Sequence, residues 1–220
     1  MNEAIVPMLL TLQVASTATL IVVILGVGWA YLFSRGQMWG KEVLDAVFTL
    51  PMVLPPTVLG YYLLVVFGRS GSLGRWLEET FGIQLIFTWK GAVVASAVVA
   101  FPLVFKAARV ALESVDHHLE SAARVLGSNE CKVFFQVTLP LAWRGILAGT
   151  MLAFARAMGE FGATLMIAGS IPGKTQTVSI AIYEAVQAGQ DDLANFLVLL
   201  TSMVCITVLV ASGKLLQRSF

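Results

Sequence analysis

Arg156 and Glu160 stand four positions apart inside a mainly apolar run, 140–168, and are the first candidates for chemistry in this 220-residue chain. Each ionised group near the centre of a bilayer costs roughly 2.5–3.5 kcal/mol on insertion scales. Charges placed at that cost face a cavity, a partner or each other. Two readings stand: a structural salt bridge within one helix, or the polar lining of a route. In the second, Arg156 draws an oxyanion and Glu160 weakens the hold, so that the ion can leave. Thr57, Tyr61 and Tyr62 add hydroxyl donors beside Pro51, Pro55 and Pro56, where broken helices would turn positive N-termini toward an anion. Tyr61 and Tyr62 fit interfacial aromatics equally well. Thr57, Arg156 and Glu160 are therefore the candidate pathway residues.

Other reactive groups fall away. His117 and His118 adjoin each other without a carboxylate-rich metal motif, and no nucleophile–base set lies at membrane depth. Cys131 and Cys205 have neither zinc nor disulfide-framework spacing. The stretch "AGSIPGKT", Ala168 to Thr175, fits a relaxed phosphate-loop pattern. That motif needs a preceding strand and a β-α context, whereas an apolar span precedes it here and Pro172 lacks a backbone donor. It is expected to be an external turn before a short helix, about 177–187, placed to plug the route or meet an external protein. No catalytic residue, metal site or cofactor is expected.

The elements that must position these residues are membrane helices. The chain is 58% hydrophobic and 12% charged, with mean hydropathy +0.84, unlike a soluble domain. A net charge of +1 implies no bulk attraction to nucleic acid. The N-terminus lacks a basic region and carries Glu3, so a cleaved signal peptide is not expected. A spanning helix needs roughly 20 apolar residues. The expectation is one all-α membrane domain over 1–220 with spans near 8–34, 43–67, 86–112, 139–168 and 193–217. The three prolines should distort the second span. Lys and Arg divide nine to four between the two sides: Arg35, Lys41, Lys106, Arg109, Arg124, Lys132, Arg144, Lys214 and Arg218 against Arg69, Arg75, Lys90 and Lys174. That bias predicts an external N-terminus and a cytoplasmic C-terminus in the plasma membrane.

The insert 113–138 then lies in the cytoplasm. Leu119, Ala122, Ala123 and Leu126 share one helical face. Gly127 suits a left-handed cap, Ser128 is positioned to cap a second helix, and Glu130 would lie in its first turn. Pro140 suits the first turn of the next span. The pattern predicts two short helices joined by a sharp elbow; helices lying on the lipid surface are the alternative. In the span that follows, Gly145, Gly149, Ala153 and Ala157 recur every fourth residue. Such a stripe lets helices approach closely, within the chain or against a second copy.

The insert resembles the EAA loop of permease subunits of ATP-binding-cassette importers. Glu120, Ser121, Ala122 and Ala123 are followed by Gly127, then Val137, Leu139 and Pro140 at that family's spacing, with Ser121 standing for its first alanine. The resemblance implies a type I importer permease fold and a coupling helix that docks on a cytoplasmic ATPase. Glu120, Ala122, Ala123, Gly127 and Pro140 would carry docking and lever geometry. ATP would be bound by the partner. "LPMVLPPTVLGYYLLVVFGRSG", "FTWKGAVVA", "FPLVFKAARVALESVD" and "RAMGEFGAT" resemble the molybdate/tungstate branch; Gly159 to Gly162 are shared with sulfate permeases. The implied partners are ATPase subunits, a second copy, an extracytoplasmic oxyanion-binding protein and the lipid bilayer. The rivals are the same architecture carrying sulfate, an ion-driven secondary transporter, for which no repeat is visible, and an intramembrane enzyme.

Overall fold

A computed structural model describes residues 2–36, 39–69 and 71–217, and among them regular structure is helical throughout. Arg218, counted in the charge bias, lies outside the described residues. Helix α1 (Asn2–Arg35) runs unbroken, with Pro7 near its start. Helices α2 (Lys41–Val53) and α3 (Pro56–Phe67) follow. Then come α4 (Ser72–Phe81) and α5 (Trp89–Glu113), the second capped by Thr88, whose hydroxyl accepts from Gly91 N. The insert contains α6 (His117–Val125) and α7 (Glu130–Val133), and α7 continues through a π-helical segment (Phe134–Thr138) into α8 (Leu139–Met158). The chain ends with α9 (Gly162–Ala168), α10 (Val178–Gln187) and α11 (Asp191–Gln217).

Four helical stretches among the described residues are long and apolar enough to cross a membrane: Ala4–Arg35, Trp89–Glu113, Glu130–Met158 and Asp191–Ala211. The fifth expected crossing, 43–67, is α2 and α3 meeting at 116°. The break follows from the prolines. A residue before proline is pushed out of the helical region, and Leu54 and Pro55 accordingly sit at ψ 141° and 138°.

Helix α5 is the central post. It packs along α1 through Ala100, Val104 and Phe105, and along α8 through small residues. A Cβ on Gly145 would lie 2.5 Å from the Ala111 Cβ, and one on Gly149 would lie 2.4 Å from the Ala107 Cβ. Ala153 and Ala157 are buried in the same core. Of the two alternatives for the small-residue stripe, packing within the chain is the one seen, against α5. At one end of the bundle Asp45 ties α2 to α5 by pairing with Lys106 at 2.5 Å and Arg109 at 3.0 Å. Toward the other end, the Thr11 hydroxyl on α1 donates to Pro7 O and accepts from Val178 N at 2.8 Å, fixing the start of α10.

The expected crossing 139–168 is also two helices. Helix α8 stops at Met158 and α9 starts at Gly162, because Glu160 turns its carboxylate onto the backbone N–H of Ala163 at 2.9 Å. This is side-chain competition for a helical donor. Glu160 therefore lies in a break and not on one helix with Arg156. Between α9 and α10, "AGSIPGKT" forms a tight turn whose amides of Lys174, Thr175 and Gln176 all donate to the Ile171 carbonyl. Those donors are occupied, so the turn offers no phosphate cradle.

Candidate functional site

The insert is built by its caps. Asp116 accepts from His118 N at 2.9 Å and opens α6. Its end is a Schellman turn: Ser128 N donates to Ala123 O, Gly127 N donates to Arg124 O, and Gly127 takes φ +86°. The next cap is Asn129, which accepts from Lys132 N at 2.9 Å; Ser128, the expected cap, serves the preceding turn instead. Asn129 wins because its carboxamide oxygen reaches the N3 amide of α7. The second expected short helix is the leading edge of the α8 rod, joined to it by the π segment, and not an independent element.

The orientation of α6 reverses the usual amphipathic rule. Its carboxylate points in and its aliphatic side chains point out. Glu120 is 1% exposed, whereas Val125 and Leu126 are 87% and 86% exposed. Leu119 and Ala122 are exposed too, and Ala123 is half-buried. Inside, Thr138 in the π segment donates to Glu120 Oε1 at 2.6 Å, and the Arg35 guanidinium at the end of α1 pairs with the same oxygen. Arg35 Nη2 also reaches Thr138 Oγ1 at 3.3 Å, and His117 Nδ1 lies 3.4 Å from Glu120 Oε2. Burial alone would raise the Glu120 pKa. The Thr138 hydrogen bond, the Arg35 charge and the His117 and Arg35 hydrogen bonds outweigh it and hold the carboxyl below its ordinary range. Glu120, expected to serve docking and lever geometry, thus faces inward in the chain. Ala122 and Gly127 stand on the exposed side, and Pro140 is exposed in the first turn of α8.

A second polar group forms where the two helix breaks meet. A Cβ on Gly162 would lie 2.7 Å from the Pro56 Cβ, and one on Gly60 would lie 2.6 Å from Met166. The starts of α3 and α9 are thereby held together. The cleft beside them, about 290 Å³, is lined by Thr57, Arg156 and Glu160 with Pro56, Gly159 and Phe161. All three sequence-selected pathway residues share this one cleft. Arg156 Nη1 meets Glu160 Oε2 at 2.9 Å, with the Glu160 side chain 2% exposed and the Arg156 side chain 39% exposed. Arg156 also borders a neighbouring hollow under the α2–α3 bend, lined by Pro51, Leu54 and Leu103. Tyr61 and Tyr62 are exposed on α3 and do not line the cleft.

Two helix breaks thus surround the half-exposed Arg156 side chain, and the separate pinned helix α6 stands between α5 and α8. Residues 22–220 match the family described as binding-protein-dependent transport system inner membrane component. The chain belongs to that family. Its relatives include the molybdenum transport system permease protein ModB of Escherichia coli K12, 46% identical over 92% of this chain and 90% of the relative. ModB of Haemophilus influenzae is 44% identical over 95% and 92%. The sulfate transport system permease protein CysW of Synechococcus elongatus is more distant, 37% identical over 88% and 68%. Among solved structures, the MetNI methionine ABC transporter in inward-facing conformations superposes with TM-score 0.74 at 16% identity, covering 97% and 94% of the two chains. A bacterial alginate ABC importer gives 0.78 at 14% over 100% and 80%. These likenesses establish the ABC-importer permease fold, and the relatives are named as permease proteins.

Within this inner-membrane transport family, two residues of the site escaped sequence reading. Arg35 and Thr138 complete the Glu120 cluster, yet neither stands out locally. Arg35 reads as an ordinary cation at the end of a span, and Thr138 as one more polar residue before Pro140. No local signal marks them, because the burial of Glu120, which demands a partner, is itself decided by the fold.

Proposed function

We propose that this chain is the membrane-spanning subunit of an ATP-driven importer that brings molybdate, or its close analogue tungstate, into the cytoplasm. The observation that carries the reading is the inverted coupling helix: α6 is anchored from within through Glu120 and presents Val125 and Leu126 almost wholly bare. An apolar tip on a pinned helix suits capture by a separate motor subunit. The substrate assignment draws on the permeases named for molybdenum at 46% and 44% identity.

In this reading two copies enclose the passage with the N-termini outside, two ATPase subunits grip the α6 tips, and an external binding protein delivers the oxyanion. ATP is bound by the partner; the chain itself has no cofactor and catalyses no reaction. Closure of the ATPase pair draws the α6 helices together and turns the passage outward. Hydrolysis and release return it. Thr57, Arg156 and Glu160 line the route. Arg156 offers guanidinium donors to a tetrahedral dianion, and its bond to Glu160 limits the hold on the ion.

The test is uptake into vesicles holding the chain, its ATPase and its binding protein. ATP-dependent molybdate uptake well above sulfate uptake is expected. The 37% identical sulfate permease motivates the second reading, which preferential sulfate uptake would establish. Uptake by the chain alone, indifferent to ATP, would overturn both.

A further inference from the structure

Along the chain, α6 leads through the Gly127 turn and α7 into the π segment and then α8. A π segment widens the hydrogen-bond ladder and is a local irregularity in the rod. Pushed only through that route, the rod would lose part of the displacement at the irregularity. The side-chain contacts supply another connection. Thr138, at the last position of the π segment, bonds Glu120 of α6, and Arg35 of α1 reaches both. The Arg35 guanidinium also lies over the Tyr31 ring at 5.2 Å, and that ring meets Phe134 of the π segment edge-on at 4.6 Å. The carboxylate at the centre is 1% exposed, so salt screens the pair weakly.

We propose that Arg35 is a positioning residue that makes the end of α1 travel with the coupling helix, so that a push on α6 enters α1 and α8 together. The proposal rests on the coupling reading above. It follows from reach and stiffness. Arg35 and Glu120 are 85 residues apart in sequence, so their bond bypasses α2 to α5. From Arg35 to Thr11 helix α1 is continuous; at 1.5 Å per residue that is roughly 36 Å. At Thr11 the same helix accepts the first amide of α10. One rod therefore joins the coupling end of the molecule to the turn and helix at the opposite end. The planar guanidinium suits the role because it bonds the carboxylate and stacks on the tyrosine at once, which lysine cannot do.

The experiment uses the full importer in vesicles and reads oxyanion imported per ATP hydrolysed, together with co-elution of the ATPase. Arg35→Ala is expected to lower that ratio about tenfold, in the range of known coupling effects. ATPase co-elution should persist, since the bare tip of α6 is untouched. In a chain whose Cys131 and Cys205 are replaced by serine, Arg35→Cys/Glu120→Cys should be impaired in the same way. Bridging those two thiols with a short bis-thiosulfonate should restore most of the ratio, because a pin that moves as one piece tolerates a covalent bond. An unchanged ratio in Arg35→Ala, or a bridged double-cysteine chain that stays impaired, overturns the proposal. Should Arg35→Ala not be recovered folded, the double-cysteine chain bridged before purification decides between the same two outcomes. Failure of the ATPase to co-elute with the unsubstituted chain would count against the coupling reading instead.

Discussion

Two arginine–glutamate pairs stand at different levels of the same bundle and differ in what surrounds them. Both carboxylates are buried, Glu120 at 1% and Glu160 at 2% exposure. Around Glu120 the partners come from three elements: Arg35 from α1, Thr138 from the π segment and His117 from α6. Around Glu160 they are local. Arg156 is four residues away, and the second carboxylate oxygen is taken by the Ala163 amide. The cations differ as well, with Arg35 23% exposed and Arg156 39% exposed beside a cleft. A carboxylate enclosed by distant partners fixes elements to one another. A carboxylate fixed by its own backbone leaves its cation free to face something else. The same pair of residue types thus makes a joint in one place and the lining of a cleft in the other.

The contrast can be broken by substitution, and the largest effect is expected at the joint. Glu120→Ala removes the centre of a buried pair and should cost about 3 kcal/mol, toward the lower end of such changes because Arg35 can rehydrate. Thermal or denaturant unfolding in detergent would check this. Acid probes the same group. Its lowered pKa means that its contribution is fully present above the unfolded carboxyl value of about 4.3 and is lost as pH falls through the lower folded value. The unfolding midpoint should hold steady from pH 7 to about 5 and decline below that. Glu120→Gln should remove this acid-dependent portion of the decline.

Next in size is the turn that aims the tip. Gly127 sits at φ +86°, and a β-branched residue there costs roughly 1–2 kcal/mol. Gly127→Val should leave the spans folded, as circular dichroism would report, while uptake per ATP falls. A smaller stability effect is expected for Arg156→Ala, about 1 kcal/mol, because the buried Glu160 loses its cation but keeps the Ala163 amide. If Arg156 faces the ion, uptake should nevertheless fall with assembly intact. Equal losses of assembly and uptake would make it another joint and erase the contrast. Smallest is His117→Ala, within about 0.5 kcal/mol, because its side chain is 74% exposed.

Some of this organisation was legible along the chain. Apolar length marked the spans, prolines marked the α2–α3 break, and Gly127 marked the end of α6, since each depends on local sterics or on the period of a helix. Thr57, Arg156 and Glu160 could be chosen as polar residues in apolar surroundings. That they share one cleft could not, because the closeness of Pro56 and Gly162 belongs to no local pattern. The capping choice of Asn129 over Ser128 is a contest between adjacent residues that periodicity does not decide. The small-residue stripe of α8 showed that something approaches closely, and the fold decided that it is α5.

By itself, the sequence determined that this is a helical membrane protein with a polar insert, a bent span and two costly charges at depth. It did so because the bilayer penalises every unsatisfied backbone or ionic group, which leaves few solutions. Only the tertiary structure decided that α6 turns its glutamate inward and its valine and leucine outward. The reason is that the energy of a buried carboxylate is set by donors contributed from α1 and the π segment, and their arrival depends on how whole helices pack.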